Sequence, residues 1–173
     1  MEKNEFDIVY SAIKERMNKE IKEIRKIYQA TKDGGDSKTF HKLCDCISNT
    51  LVLYKSEGNR RFGGFVSQCW KTGEELIPDK NCFLFSLDKK KIYYSKNKYL
   101  TLVTSSFDGP SFTDFDGYYI IEIYKNALKD KELRTNEKKF KDIFGGDENA
   151  LSEDGKFEGV YAKEYEVFQI IFE

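Results

Sequence analysis

The first thirty residues carry apolar side chains at intervals of three and four positions, down to Tyr28, in an otherwise charged segment. This spacing places the apolar positions on one face of a helix. It predicts a long amphipathic helix over residues 1–29, followed by a domain over residues 30–173. Two interpretations stay open, packing of the helix on its own domain and docking on a partner. The candidate partner-binding residues are Phe6, Tyr10, Ile13, Met17, Ile21 and Ile24.

Gly34 and Gly35 are expected to end this helix. Asp36 or Ser37 then supplies an N-cap for a short second helix. The apolar residues that would share one face of that helix are Phe40, Leu43, Cys44 and Ile47.

From Thr50 onward the pattern changes to short runs of β-branched and aromatic residues separated by turn signals. The predicted strands are 50–55, 62–68, 82–87, 91–94, 99–104, 118–123 and 157–172. Residues 125–147 are polar and lysine-rich, which predicts a long loop with one helical turn. Two helices followed by closely spaced strands predict an α+β fold, a two-sheet antiparallel β-sandwich flanked by helices.

Charge and composition exclude several classes of function. The chain has 173 residues, with 29 basic and 30 acidic side chains and a formal net charge of −1. Without a basic excess, no nucleic-acid binding is expected. No apolar run approaches the roughly 18 residues of an integral membrane segment, and residues 1–5 lack the apolar core of a signal peptide. We therefore expect a cytoplasmic protein with reduced cysteines.

His41 is the only histidine, so any catalytic imidazole must be this one. On a helix, Cys44 lies one turn away on the same face, and Asp45 follows at i+4. One interpretation is a Cys44–His41 pair that forms a thiol nucleophile. The other, which the apolar neighbours favour, is a packed face on which Cys44 acts as a small hydrophobe.

The cysteines do not have the spacing of a metal site. Cys44 and Cys46 would point apart on a helix, and Cys69 and Cys82 stand alone in the sequence. The sequence therefore predicts no metal and no cofactor.

Glu164 and Glu166 lie at i,i+2 in the last predicted strand. This spacing puts both carboxylates on one face, about 6–7 Å apart along the chain. Paired carboxylates serve general acid–base chemistry or hydrolysis, but they also pair with lysines, tyrosines or backbone donors. From Val167 on, both faces of the strand are apolar, which predicts that it runs into the core.

The segment Phe62-Gly63-Gly64-Phe65 lacks the Gly-Lys-Ser/Thr ending of a phosphate-binding loop and lies within a strand pattern. Glycines in a strand indicate a bulge or a close backbone approach. Trp70, which follows, is expected to pack in the core or at its rim.

Seven of these segments, in this order, resemble the TLDc domain family from about residue 25 to the end of the chain. They are IYQATKDG (27–34), FHKLCD (40–45), TLVL (50–53), FGGFVSQCW (62–70), FLFSL (83–87), GPSF (109–112) and EYEVF (164–168). The framework positions that match are Asp33, Gly34, Gly63, Gly64, Trp70, Gly109, Pro110 and Phe112, together with the acids Glu164 and Glu166. The N-terminal helix lies outside this resemblance.

The resemblance implies a sandwich of two antiparallel sheets with flanking helices. It also implies protection against oxidative stress and binding of the vacuolar-type proton-pumping ATPase (V-ATPase), without an established enzymatic activity. The chain departs from the family where Gly-Gly-Gly-His-Asp usually follows the Pro-x-Phe segment, because it has Thr113-Asp114-Phe115-Asp116-Gly117 instead. The loss of that histidine weakens the interpretation as an enzyme.

Three hypotheses about function follow. The first is a non-catalytic interaction module that binds a large cytoplasmic assembly, with V-ATPase the leading candidate. The second is a structural component of a cytoskeletal or organelle scaffold that docks through the N-terminal helix. The third is a hydrolase or thiol antioxidant, whose weak catalytic candidates are Glu164, Glu166, Cys44 and His41.

Overall fold

A computed structural model describes residues 3–73, 75–95, 99–130, 133–145, 150–151 and 160–173, with the backbone alone at residues 3–5. The helices are Lys3–Met17 (α1), Ala30–Asp33 (α2), Ser37–Cys44 (α3), Ala127–Asp130 (α4) and Glu137–Phe144 (α5). The strands are Ile21–Gln29 (β1), Thr50–Ser56 (β2), Arg61–Val66 (β3), Leu76–Asp79 (β4), Phe83–Ser86 (β5), Lys91–Tyr93 (β6), Leu100–Val103 (β7), Phe112–Thr113 (β8), Tyr119–Ile123 (β9), Leu133–Thr135 (β10) and Ala162–Phe172 (β11). Within these ranges, no helix has the length and apolar content to cross a bilayer.

The strands form two antiparallel sheets. A six-stranded sheet has the order β1-β11-β2-β3-β5-β6, and a five-stranded sheet has the order β10-β9-β8-β7-β4. The predicted two-sheet sandwich with flanking helices is therefore confirmed.

Three framework residues of the TLDc resemblance, Gly64, Trp70 and Phe112, meet where the two sheets pack. A Cβ on Gly64, in β3, would lie 2.5 Å from the Phe112 ring of β8, so the absence of a side chain lets the sheets approach. The Trp70 ring packs edge-to-face on Phe112 with centroids 6.1 Å apart, and its Nε1 donates to the Thr50 hydroxyl at 2.8 Å. The predicted close approach at the glycine pair and the packing role of Trp70 are both confirmed.

Helix α1 covers the other face of the six-stranded sheet. Its buried residues Phe6, Val9, Ala12 and Ile13 join a second apolar cluster with Leu51, Phe65, Phe83, Phe85, Leu87, Phe168 and Ile170. The sheet is thus buried on both faces, and β11 contributes Val167 to the inter-sheet core and Phe168 to the cluster under α1. The prediction that this strand runs into the core is confirmed for residues 162–172, while 157–159 lie outside the described residues.

The single helix predicted over residues 1–29 is wrong in its second half. The helix ends at Met17, Asn18 takes a positive φ of 50°, and β1 pairs with β11 along its length. A register shift between Ile21 and Glu23 marks a β-bulge. Because a bulge adds one residue, apolar positions three apart return to the same face of the strand. Ile21 and Ile24 accordingly both pack under α1, and their spacing imitates a helical stripe.

Two other predictions are corrected. Residues 125–147 do not form a loop with one helical turn, since α4, β10 and α5 occupy most of the segment. Residues 76–79, which were not among the predicted strands, form β4 at the edge of its sheet, and Pro78 lies within it. An edge strand tolerates proline because one row of its backbone amides needs no ladder partner.

The second helix is confirmed, with Asp36 as its N-cap. The Asp36 carboxylate accepts the Thr39 backbone N–H at 2.9 Å. Phe40 and Cys44 are buried as the pattern predicts. Leu43, however, is 37% exposed, and Ile47 lies beyond the end of the helix.

Candidate functional site

The buried ring of His41 joins helix α3 to two distant segments. Its Nδ1 lies 2.7 Å from Oδ1 of Asp45, the C-cap residue of the same helix. The other oxygen of Asp45 accepts the Thr72 hydroxyl at 2.8 Å. On the opposite side of the ring, Nε2 lies 3.1 Å from the carbonyl of Ser105 and 3.0 Å from that of Asp108.

All of these partners of the His41 ring are hydrogen-bond acceptors. A carbonyl oxygen only accepts, and an ionised carboxylate only accepts, so the role open to the ring in these contacts is that of donor. A general base needs a nitrogen lone pair directed at the proton it removes. Because both nitrogens of His41 face acceptor oxygens within the protein, this geometry is that of a structural donor.

The turn at residues 105–108 is held through its carbonyl groups. His41 binds the first and last of them, Ser37 Oγ donates to the Ser106 carbonyl at 3.0 Å, and Lys125 N donates to the Phe107 carbonyl at 2.7 Å. The Asp108 N–H closes the turn on the Ser105 carbonyl at 3.1 Å. The Phe107 side chain is nevertheless 59% exposed. The turn therefore presents an aromatic ring to solvent on a well-anchored backbone.

The Asp108 side chain is 3% exposed. Its Oδ2 accepts the Tyr119 hydroxyl at 3.1 Å, and its Oδ1 has no hydrogen-bond partner among the described residues. Burial raises the pKa of this carboxyl group, although hydrogen bonds from Ser105 and Tyr119 and the nearby His41 act in the opposite direction. Burial without full satisfaction makes the charged form costly.

Cys44 is buried in the inter-sheet core. Burial, together with the nearby Asp45 and Asp33 carboxylates, raises the pKa of its thiol far above the ordinary value. A reactive cysteine needs an electropositive, partly exposed site, and both nitrogens of His41 are directed at other groups. The structure thus gives Cys44 the surroundings of a packing residue.

The remaining cysteines differ in their exposure to solvent. Cys46 is exposed, Cys69 is half-buried and Cys82 is buried. In the part of the chain that the structure describes, no group of three His, Cys, Asp or Glu residues is arranged to hold a metal ion.

Glu164 and Glu166 bind polar groups of the β1–α2 region. Glu164 accepts the Thr31 backbone N–H at 3.0 Å, the Gln29 side-chain amide at 3.1 Å, and the Thr31 hydroxyl. Glu166 forms an ion pair with Lys26 on the neighbouring strand. The two carboxylates join the last strand to the segment that packs beside it, which is the structural one of the two interpretations.

The six candidate partner-binding residues face the protein's own second cluster. Phe6 is 3% exposed and Ile13 is fully buried. Tyr10, Met17, Ile21 and Ile24 are partly buried and pack against the same cluster. These six residues thus make intramolecular contacts. The scaffold hypothesis loses the exposed apolar face on which it depended.

Two surface depressions lie elsewhere. One, of about 450 Å³, lies beside α3 and is lined by Lys38, His41, Lys42, Asp45, Thr72 and Ser106. The other, of about 240 Å³, lies at the β8–β9 hairpin and is lined by Ser95, Tyr99, Leu100, Asp114, Phe115, Asp116, Lys139, Asp142 and Ile143. Neither is lined by Glu164 or Glu166, so His41 and the two glutamates do not share a cavity there.

Residues 113–117, where the sequence departs from the family pattern, form a tight turn. Gly117 takes a φ of 85°, and its N–H donates to the Asp114 carbonyl at 3.1 Å. The Asp114 carboxylate accepts the Tyr118 N–H at 2.8 Å and the Lys139 ammonium at 3.3 Å. The turn is thus closed by Asp114, and the bulky Phe115 avoids the positive φ values that glycine favours.

The sequence placed Asp45 near His41. It did not indicate that the 105–108 turn contacts His41, or that Lys38 and Lys42 line the same depression as Ser106. Asp45 follows His41 by one helical turn, and that relation is local. Contacts between α3 and residues more than sixty positions away have no periodic signal. The turn-forming residues Asp108-Gly109-Pro110 are the sequence signal that could have indicated a bend near Phe107.

Comparisons with known proteins agree with the fold and extend the earlier resemblance. The family model described as "TLDc domain" matches residues 1–171, so the match includes α1, which the sequence motifs had left outside. The chain is also similar to "MTOR-associated protein MEAK7" of Xenopus laevis, with 34% identity over 64 residues. That alignment covers 35% of this chain and 14% of the relative, so the chain corresponds to a small part of that protein.

Proposed function

The chain belongs to the TLDc domain family, and on that premise we propose that it is a non-catalytic module that binds a large protein assembly. The observation that carries the proposal is the engagement of His41, both of whose ring nitrogens face acceptor oxygens of the protein itself. The burial of Cys44, the hydrogen bonds of Glu164 and the ion pair of Glu166 support the same interpretation.

The proton-pumping V-ATPase is the partner to test first, because the family resemblance implies it. The name of the Xenopus relative describes an association with MTOR, which supports a protein partner for a domain of this kind. We place the interaction in the cytoplasm and link it to resistance against oxidative stress, both on the strength of the resemblance.

Direct binding to purified V-ATPase tests the proposal. The full chain, mixed with the detergent-solubilised enzyme or its soluble sector, should co-elute on size-exclusion chromatography and change the ATPase rate. Absence of co-elution and of any rate change at micromolar concentrations would overturn V-ATPase as the partner.

The non-catalytic part has its own test in paired variants. Glu164→Gln and Glu166→Gln keep the shape of each side chain while removing its charge, and both should bind and affect the ATPase as the unmodified chain does. If either change abolished the effect on the ATPase while binding was retained, a chemical role for the glutamates would replace the proposal.

A further inference from the structure

We propose that Phe107, Lys38 and Lys42 form the docking surface for an acidic segment of the partner protein, and we name these three residues the Phe107 surface. The inference deepens the proposed function and rests on it, because it assumes that the partner is a protein. In this arrangement the partner's carboxylates bind in the depression beside α3, and an apolar group of the partner contacts Phe107.

Phe107 has the properties of an interface anchor. Its ring is 59% exposed, while its backbone is fixed by the bond from Lys125 N and by the flanking bonds from His41 and Ser37. A large aromatic ring on an ordered backbone loses little conformational freedom on binding. Aromatic residues of this kind carry a large share of the affinity in protein interfaces.

The depression that Ser106 lines, one residue before Phe107, carries two lysines. Lys38 and Lys42 are four residues apart on α3 and therefore lie on one side of the helix, and both line the depression. Among the residues that the structure describes, neither lysine lies within ion-pair distance of a carboxylate, although the Asp36 carboxylate interacts electrostatically with Lys38. The carboxylate that shares the depression, Asp45, is paired with His41.

Charge complementarity therefore selects an acidic occupant. Opposite potentials across an interface raise the association rate and exclude partners of the wrong charge. The volume of about 450 Å³ admits a short stretch of side chains, and Ser106, which lines it, directly precedes Phe107. A segment with Asp or Glu residues next to an apolar residue or pocket matches both halves of the surface.

An anionic membrane is a less suitable occupant. Recognition of acidic lipids uses clusters of roughly four to eight basic residues, and the depression offers two lysines. The near-neutral charge of the chain also gives no long-range attraction to such a surface.

Peptide selection tests the inference with a defined probe. A phage library of random twelve-residue peptides is selected on the full chain, and the enriched peptides are resynthesised for affinity measurements. We expect enrichment of Asp and Glu next to apolar residues. Affinity should fall about tenfold or more in Phe107→Ala and in the double variant Lys38→Glu/Lys42→Glu.

Matched controls separate this surface from general effects of charge and exposure. Phe115→Ala removes another exposed ring at the β8–β9 hairpin, and Lys22→Glu/Lys80→Glu makes the same change of charge at exposed lysines elsewhere. Both controls should keep the affinity of the unmodified chain. Far-ultraviolet circular dichroism and the melting temperature confirm that every variant is folded.

Several outcomes would overturn the inference. They are a selection that yields no binding peptide, a selection without acidic enrichment, and equal loss of affinity in the controls. Binding of phosphatidylserine vesicles that depends on Phe107, without peptide binding, would assign the surface to a membrane instead. If V-ATPase binds the chain but Phe107→Ala binds equally well, the proposed function stands and the docking surface is wrong. If acidic peptides bind through Phe107 and V-ATPase does not, the surface stands and the named partner is wrong.

Discussion

Nδ1 of His41 lies 2.7 Å from Oδ1 of Asp45, one helical turn further along the chain. This contact fixes the orientation of the imidazole so that Nε2 meets the carbonyls of Ser105 and Asp108. A side chain that sequence alone presents as a catalytic candidate thus connects helix α3 to the turn that exposes Phe107.

Replacing His41 should loosen that turn. In His41→Ala the carbonyl of Asp108 loses its side-chain donor, so we expect the free energy of unfolding to fall by about 2–3 kcal/mol. Urea denaturation measures the loss, and hydrogen exchange at residues 106–109 should accelerate more than exchange in β2. His41→Gln keeps a donor that reaches the carbonyls and should lose less. Equal stability of all three proteins would contradict the role assigned to the ring.

Asp108 should make stability depend on pH in a defined direction. Its folded-state pKa is raised above the ordinary 3.8, chiefly by burial. Below pH 3.8 the group is protonated in both states and adds no penalty, whereas the penalty grows as pH rises from 3.8 through the raised folded value. Asp108→Asn lacks this penalty and should gain stability relative to the unmodified protein over that interval. The difference between their urea midpoints measures this gain, and a constant difference from pH 3.5 to 7 would refute it.

Cysteine reactivity should follow burial. Burial raises the thiol pKa of both Cys44 and Cys82 far above the ordinary range, so little thiolate forms at neutral pH. Iodoacetamide at pH 7.5 should label Cys46 first and Cys69 more slowly, and should leave Cys44 and Cys82 unlabelled until urea is added. Mass spectrometry of tryptic peptides gives the order. Rapid labelling of Cys44 in the folded protein would restore the thiol antioxidant hypothesis.

Glu164 should contribute to stability through its bonds to Thr31 and Gln29. Glu164→Ala leaves the Thr31 N–H without this acceptor, and we expect a loss of about 1–2 kcal/mol in the free energy of unfolding. Glu173→Ala, at an exposed position after the same strand, is the matched control and should change stability by less than about 0.5 kcal/mol. Thermal or urea unfolding distinguishes the two, and equal effects would show that the bonds contribute nothing specific.

Gly63 should tolerate no side chain. A Cβ at this position would overlap the carbonyl oxygen of Val52, a backbone atom on the adjacent strand, and would also lie 2.8 Å from the Phe85 ring. Gly63→Ala should therefore destabilise the protein by about 3 kcal/mol and lower the yield of soluble protein. At Gly73, a Cβ would lie 3.3 Å from the Thr104 hydroxyl and 3.9 Å from its Cβ, with no overlap of backbone atoms, so Gly73→Ala should have a smaller effect. Similar melting temperatures for the two variants would contradict the steric argument.

Local patterns determined much of the fold. Runs of β-branched and aromatic residues separated by turn residues predicted seven of the strands, and Asp36 predicted the start of α3, because strand pattern and N-capping depend on residues a few positions apart. The ordered motifs from Ile27 to Phe168 also predicted the family. The pair Gly63-Gly64 predicted a close backbone approach, although not which atoms approach.

Tertiary structure decided the rest. Residues 21–29 have the spacing of a helix, but pairing with β11 and a bulge after Ile21 make them a strand. The carbonyls that engage His41 lie more than sixty residues away in the sequence. Whether Glu164 and Glu166 face a cleft or a neighbouring strand depended on where β1 packs. Hydrogen bonds and burial between distant segments leave no periodic pattern in the sequence. The sequence therefore determined which residues were available for chemistry. Packing determined which of them were already bound to other groups of the protein.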